Sequence, residues 1–199
     1  MISIEQVKEL RDQTGISVMQ CKKALEEAEG DSAKALVILR KKSGELAAKK
    51  SDRTFGAGTV QAYVHSTGRV ASIVELVCET DFVSGNEEFK TLARDIAMHV
   101  TASNPKFLNK DEITEDVKST AKEVFLKEIA DSEKKVPVEM QEKILEGKLA
   151  TYFGEMVLMN QSFIKNPELT IEALVLAAGQ KFGEKIAIAR FNRFAVLEK

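Results

Sequence analysis

Residues 59 to 78 alternate, and this restricts the possible folds more than any other feature of the chain. Val60, Ala62 and Val64 point one way, with Thr59, Gln61, Tyr63 and His65 opposite. Ser66-Thr67-Gly68-Arg69 supplies a turn, after which Val70, Ser72, Val74, Leu76 and Cys78 alternate again. Period two on both sides of a short Gly-containing loop predicts an antiparallel hairpin. A lone hairpin is marginal in water, so a third strand and covering helices are required. The third strand is expected at 185–196, KIAIARFNRFAV, which alternates and is rich in Ile and Phe. A covering helix follows the hairpin directly. Phe89, Leu92, Ala93, Ile96, Ala97 and Val100 form an unbroken helical stripe, with Ser84 and Glu87 as its capping box and Asn104-Pro105 as its end.

Residues 1–45 read as a three-helix docking domain. Ser3 with Gln6 and Ser17 with Gln20 fit the S-x-x-Q capping box. Ile4, Val7 and Leu10 form the first stripe, closed by Thr14-Gly15. Val18, Cys21, Ala24, Leu25 and Ala28 form the second. Gly30-Asp31 turns the chain into a third helix holding Ala33, Leu36, Val37 and Arg40. The stretch 43–58 has no sustained periodicity and extends the third helix at first; the linker is set at 46–56, with an α+β core at 57–199. Within the core, residues 110–153 are highly charged. The sparse apolar positions Ile113, Val117, Val124, Ile129, Met140, Ile144, Leu149 and Phe153 predict an antiparallel helical hairpin projecting from the body, broken at Val136-Pro137. A last short helix, 171–178, leads through Gly179 to the final strand.

Lys and Arg total 29 against 31 Asp and Glu, giving a net charge of −2 with no basic stripe. That disfavours direct nucleic-acid binding through a basic surface. Cys21 and Cys78 sit in apolar neighbourhoods without a CxxC, which reads as buried thiols in a reducing cytoplasm rather than a metal site. No run reaches the roughly 18 apolar residues of a membrane span, and the amphipathic N-terminus resembles no leader, so a soluble, cytoplasmic protein is expected. His65 and His99 lie in structural patterns, the Gly56-Ala57-Gly58 run lacks a P-loop ending, and most carboxylates have Lys three or four positions away. These features give no case for an enzyme, a cofactor or a bound metal.

The turn in ELVCETDFVSGN, 75–86, is different. A β-branched run stops at Thr80-Asp81-Phe82-Val83, leaving a large aromatic beside an acid near water. Either Phe82 folds back as a lid on the core, or it is an aromatic anchor for a pocket in a partner. Composition leaves both open.

LRDQTGISVMQCKKAL, 10–25, and ELVCETDFVSGN resemble the two signatures of the elongation factor Ts family. ARDIAMHVTASNPKFL, EKILEGKLATYFGE and RFNRF are similar in the same order over nearly the whole chain. The length resembles the shorter members, with one copy of the core. The resemblance implies a translation elongation factor, a guanine-nucleotide exchange factor for the GTPase elongation factor Tu. It also implies that the N-terminal bundle is a ubiquitin-associated-like docking module, with Arg11, Thr14, Gly15, Lys22 and Lys23 in its motif and Arg11, Lys22 and Lys23 facing the partner. Thr80, Asp81, Phe82 and Val83 would then dislodge Mg²⁺ from the partner, with Phe82 as the wedge. Val77 and Gly85 depart from the family pattern; Gly85 is expected to loosen the turn. A single core copy suggests a homodimer. The competing readings are an adaptor without exchange activity and a ribosome-associated binding protein.

Overall fold

The computed structural model describes residues 2–131 and 138–198, with backbone alone at 138 and 139. The chain divides into two compact units, Met1–Thr101 with Glu172–Lys199, and Ala102–Ile171. The architecture is α+β.

The first unit begins with α1 (Ile4–Thr14), α2 (Val18–Glu27) and α3 (Ser32–Lys49). Ser3 and Gln6 complete a reciprocal capping box on α1, and Gly15, at φ 66°, closes it. At Ser17 the hydroxyl half of the box caps α2. Val7, Leu10, Ile16, Cys21, Ala24, Leu25, Ala28, Ala35 and Leu39 form one buried cluster. The first two stripes are narrower than the sequence suggests, because Ile4 and Val18 are exposed. The third helix turns a different side inward, with Ala33, Val37 and Arg40 exposed and only Leu36 of the expected set half-buried. α3 runs to Lys49, through the first residues of the predicted linker, and buries Ala35, Leu39 and Ser43.

β1 (Ala57–Val64) and β2 (Val70–Cys78) pair antiparallel, and β5 (Ala187–Ala195) adds to β2, giving the order β1-β2-β5. Glu75 faces Arg190 while Leu76 faces Ile188, so Ala189 forms a bulge between them. Ser72, Val74, Leu76 and Cys78 supply the buried face of β2. β1 behaves otherwise: its apolar set Val60, Ala62 and Val64 is exposed, and Thr59, Gln61 and Tyr63 are half-buried.

α5 (Glu87–Ser103) packs on the inner sheet face. Ser72 Oγ donates to Ala97 O at 2.5 Å, Thr101 Oγ1 to Ser72 Oγ at 3.0 Å, and Arg193 Nε to Thr101 O at 3.1 Å. Phe89 meets Phe182 of α8 (Ile171–Phe182) edge to face at 5.9 Å. α8 outruns its predicted end. Gly179 lies inside it, and the left-handed residue that follows the helix is Gly183, at φ 71°.

In the second unit α6 (Glu115–Ala130) and α7 (Val138–Met156) are an antiparallel pair. Phe125 meets Tyr152 and Glu128 pairs with Lys148, so positions advance on one helix as they recede on the other. Ala121, Ile129 and Leu145 are buried, whereas Val117 and Val124 are exposed. The predicted break at Val136-Pro137 falls outside the described residues. A small hairpin, β3 (Ser162–Phe163) with β4 (Asn166–Thr170), follows; its strands are too short to carry a period-two signal.

Candidate functional site: an outward aromatic on a braced turn

Thr80 to Gly85 leave the sheet through a single helical turn, α4 (Asp81–Ser84). The Thr80 hydroxyl accepts from Val83 N at 3.5 Å and caps this turn. Gly85 N donates to Asp81 O at 2.9 Å and Asn86 N to Val83 O at 3.0 Å. The predicted Ser84–Glu87 capping box does not form, because Ser84 is already inside α4 and its hydroxyl donates to Asp81 O at 3.1 Å. Asn86 takes the role instead, its Oδ1 accepting from Glu88 N at 2.8 Å. Gly85 holds ordinary right-handed helical angles with its N–H bonded to Asp81 O. Val77 sits one residue from the end of β2, paired with Gly58 on one side and Ala187 on the other.

Side chains divide sharply along this turn. Val83 is buried, while Phe82 is 87 % exposed and Asp81 is exposed. The ring is not a lid on its own core. One helical residue separates directions by about 100°, so burying Val83 against β1 and β2 turns its predecessor outward.

Two glutamates brace the turn. Glu184, between α8 and β5, accepts Glu79 N and Thr80 N on Oε2 at 3.0 and 3.1 Å, and the Thr80 hydroxyl on Oε1 at 2.6 Å. Glu79 reaches back, accepting Lys185 N at 2.5 Å and Arg53 Nη1 at 3.0 and 3.2 Å. The Lys185 N–H, with Arg53 behind it, holds the Glu79 carboxyl below its usual range. Lys185 Nζ donates to Ser51 O and Arg53 O and lies 4.6 Å over the Phe55 ring. Lys50 donates to Gly183 O. The predicted linker is therefore tied to the same turns. Burial, and then the Glu184 charge, push the Cys78 thiol up, and its S–H donates to Thr80 O at 3.2 Å. Sequence reasoning missed Glu184, Lys185 and Arg53; no local pattern links them to a turn 26 to about 105 residues away.

The N-terminal motif residues separate by role. Thr14 Oγ1 donates to Leu10 O at 2.7 Å and Gly15 closes α1, so both build the bundle. Arg11, Lys22 and Lys23 are exposed, Lys22 lying 3.8 Å from Glu26. His65 is exposed in the β1–β2 turn and His99 is buried on α5. Among the described residues no three His, Cys, Asp or Glu side chains gather as a metal site, and no helix is long and apolar enough to cross a membrane.

Residues 19–198 match the family model described as elongation factor TS. Proteins named elongation factor Ts align along nearly the full chain. The one from Syntrophus aciditrophicus is 46% identical over 198 residues, covering 100% of this chain and 98% of the relative. Those from Herpetosiphon aurantiacus and Thermosipho melanesiensis are each 44% identical, the first covering 98% of both chains and the second 100% of both. With signatures, fold and full-length similarity in agreement, the chain belongs to the elongation factor Ts family of translation elongation factors.

Proposed function

We propose that this chain is a guanine-nucleotide exchange factor: it binds the GDP-bound GTPase elongation factor Tu, displaces its Mg²⁺ and promotes release of GDP for exchange with GTP. The observation that carries the reading is the Phe82 ring, held outward on a hydrogen-bonded turn of its own protein. A free chain gains little from a ring left in water, so the burial energy is available to a partner. Phe82 is the wedge, Asp81 beside it meets the magnesium and phosphate elements, and Thr80 and Val83 fix the turn. Residues 1–45 are the docking module, with Arg11, Lys22 and Lys23 toward the GTPase, 46–56 connects it, and 57–199 is the core.

Bound GDP owes its grip to backbone N–H groups around its phosphates and to Mg²⁺, which neutralises their charge. A factor that fits only the rearranged pocket weakens nucleotide by the factor by which nucleotide weakens it. GDP leaves, GTP enters, and the entering nucleotide ejects the factor. The chain makes and breaks no bond, so it is not itself an enzyme; it works in the cytoplasm and needs neither cofactor nor nucleic acid.

A second copy is a further partner. The outer sheet face carries Val60 and Val64 of β1, 61 % and 63 % exposed, Ile73 of β2, and Phe194 of β5, 64 % exposed. These apolar side chains share their face with the Glu75–Arg190 ion pair and Asn192, and a mixed face of this kind on a small sheet suits a self-complementary interface.

The test is release of fluorescent GDP from elongation factor Tu. Stoichiometric protein should raise the rate well above the spontaneous value, and chelating free Mg²⁺ should reproduce part of the rise. Release that stays spontaneous at saturating protein, with binding intact, leaves an adaptor and removes exchange.

A further inference from the structure

β2 ends at Cys78, and the N–H groups of Glu79 and Thr80 lie beyond the last rung of its ladder. Glu184 takes both, and takes the Thr80 hydroxyl on its other oxygen. Three bonds to one carboxylate fix the Thr80 peptide and side chain together, and bonds to an ionised acceptor are about twice as strong as neutral ones. The fixed hydroxyl is the cap of α4. A helix of one turn has almost no stability of its own, since nucleation costs more than one turn of bonds returns. The direction of α4, and so of the Phe82 ring, is set by its cap and by buried Val83. Glu79 repeats the arrangement in reverse on Lys185 N, so the two turns clamp each other from both sides.

We propose that Glu184 is a positioning residue for nucleotide exchange: by holding Thr80 it aims the Phe82 ring at the partner. This rests on the assignment of Phe82 as the wedge. Glu184 touches neither nucleotide nor metal in this scheme. Its loss leaves the exposed face of Arg11, Lys22 and Lys23 as it was, and frees a ring that must be presented in one direction.

The experiment uses the full chain as wild type, Glu184→Ala, Glu184→Gln, Phe82→Ala and the Glu184→Ala/Phe82→Ala double variant. Each is titrated in the GDP-release assay and melted in parallel. Glu184→Ala should lower the maximal release rate roughly tenfold, with the half-saturating concentration within about twofold of wild type. Glu184→Gln keeps a carbonyl oxygen for the two N–H groups and should recover most of the rate. Added to Phe82→Ala, Glu184→Ala should cost nothing further, because both act through one ring. If Glu184→Ala does not fold, Thr80→Val removes the hydroxyl that joins Glu184 to the α4 cap while leaving both N–H bonds to Glu184. It should slow release in the same direction and cost nothing further in Phe82→Ala. Full release by Glu184→Ala beside a slowed Phe82→Ala overturns the role of Glu184 alone. So does an additional loss in the double variant, which marks general destabilisation. Wild-type release by Phe82→Ala overturns the wedge itself.

Discussion

Replacing Phe82 or its neighbour Val83 by Ala separates partner contact from folding within one turn of backbone. Fully burying a Phe side chain is worth about 1.5–3 kcal/mol. Phe82 is 87 % exposed, so roughly an eighth of that, about 0.2–0.4 kcal/mol, is realised in the free chain. For a chain of this size 1 kcal/mol moves the melting temperature by about 2–4 °C, so Phe82→Ala should shift it by about 2 °C or less. The remaining ~1.3–2.6 kcal/mol is available to the complex, which corresponds to a roughly 10- to 80-fold slower stimulated release of GDP. Val83 is the opposite case. It is buried, and truncation to Ala leaves a cavity costing about 1–3 kcal/mol. Differential scanning calorimetry and fluorescent GDP release on both variants give the comparison. A Phe82→Ala melting point lowered as far as that of Val83→Ala would mean the ring packs on its own protein. An undiminished release rate would mean it does not act on the partner. Either result refutes the reasoning.

Phe89 is fully buried against Phe182, so Phe89→Ala should cost about 3–5 kcal/mol, read as a lower urea midpoint with little change in slope. Glu79, held low by the Lys185 N–H and then by Arg53, contributes stability above its unfolded pKa and loses it as pH falls through its folded one. The melting-temperature gap between wild type and Glu79→Gln should therefore be full at neutral pH and close as pH drops below the ordinary Glu value of about 4.3; a gap constant with pH would contradict this. On the outer sheet face, light scattering should show two copies for wild type and one for Phe194→Glu, with the melting point of the single copy barely moved. A wild-type monomer at working concentration removes the self-association.

The elements of this fold were legible because their signals are local. Capping at Ser3 and Ser17, the left-handed end at Gly15, the turn at Gly68 and the stripe from Phe89 to Val100 each rest on neighbours no more than four residues apart. The sequence also singled out Thr80 to Val83, since a large aromatic interrupting a β-branched run is visible in one line of text. Periodicity shows that a strand has two different faces, but it does not say which is covered. That depends on what packs there, and the apolar side of β1 proved to be the open one. The start of the helix after the turn differs from the sequence expectation for a related reason: Ser84 is taken up inside α4, so the cap falls to Asn86. Whether Phe82 folds back or faces out was undecidable from composition, and so was the carboxylate that holds it. Glu184 reaches Thr80 across 104 residues, a contact that exists only once α8 and β5 have brought their junction beside the end of β2. Short-range hydrogen bonding and spacing thus determined the pieces and marked the turn. Burial and long-range bonding, which depend on the whole chain being folded, decided the faces and the direction of the ring.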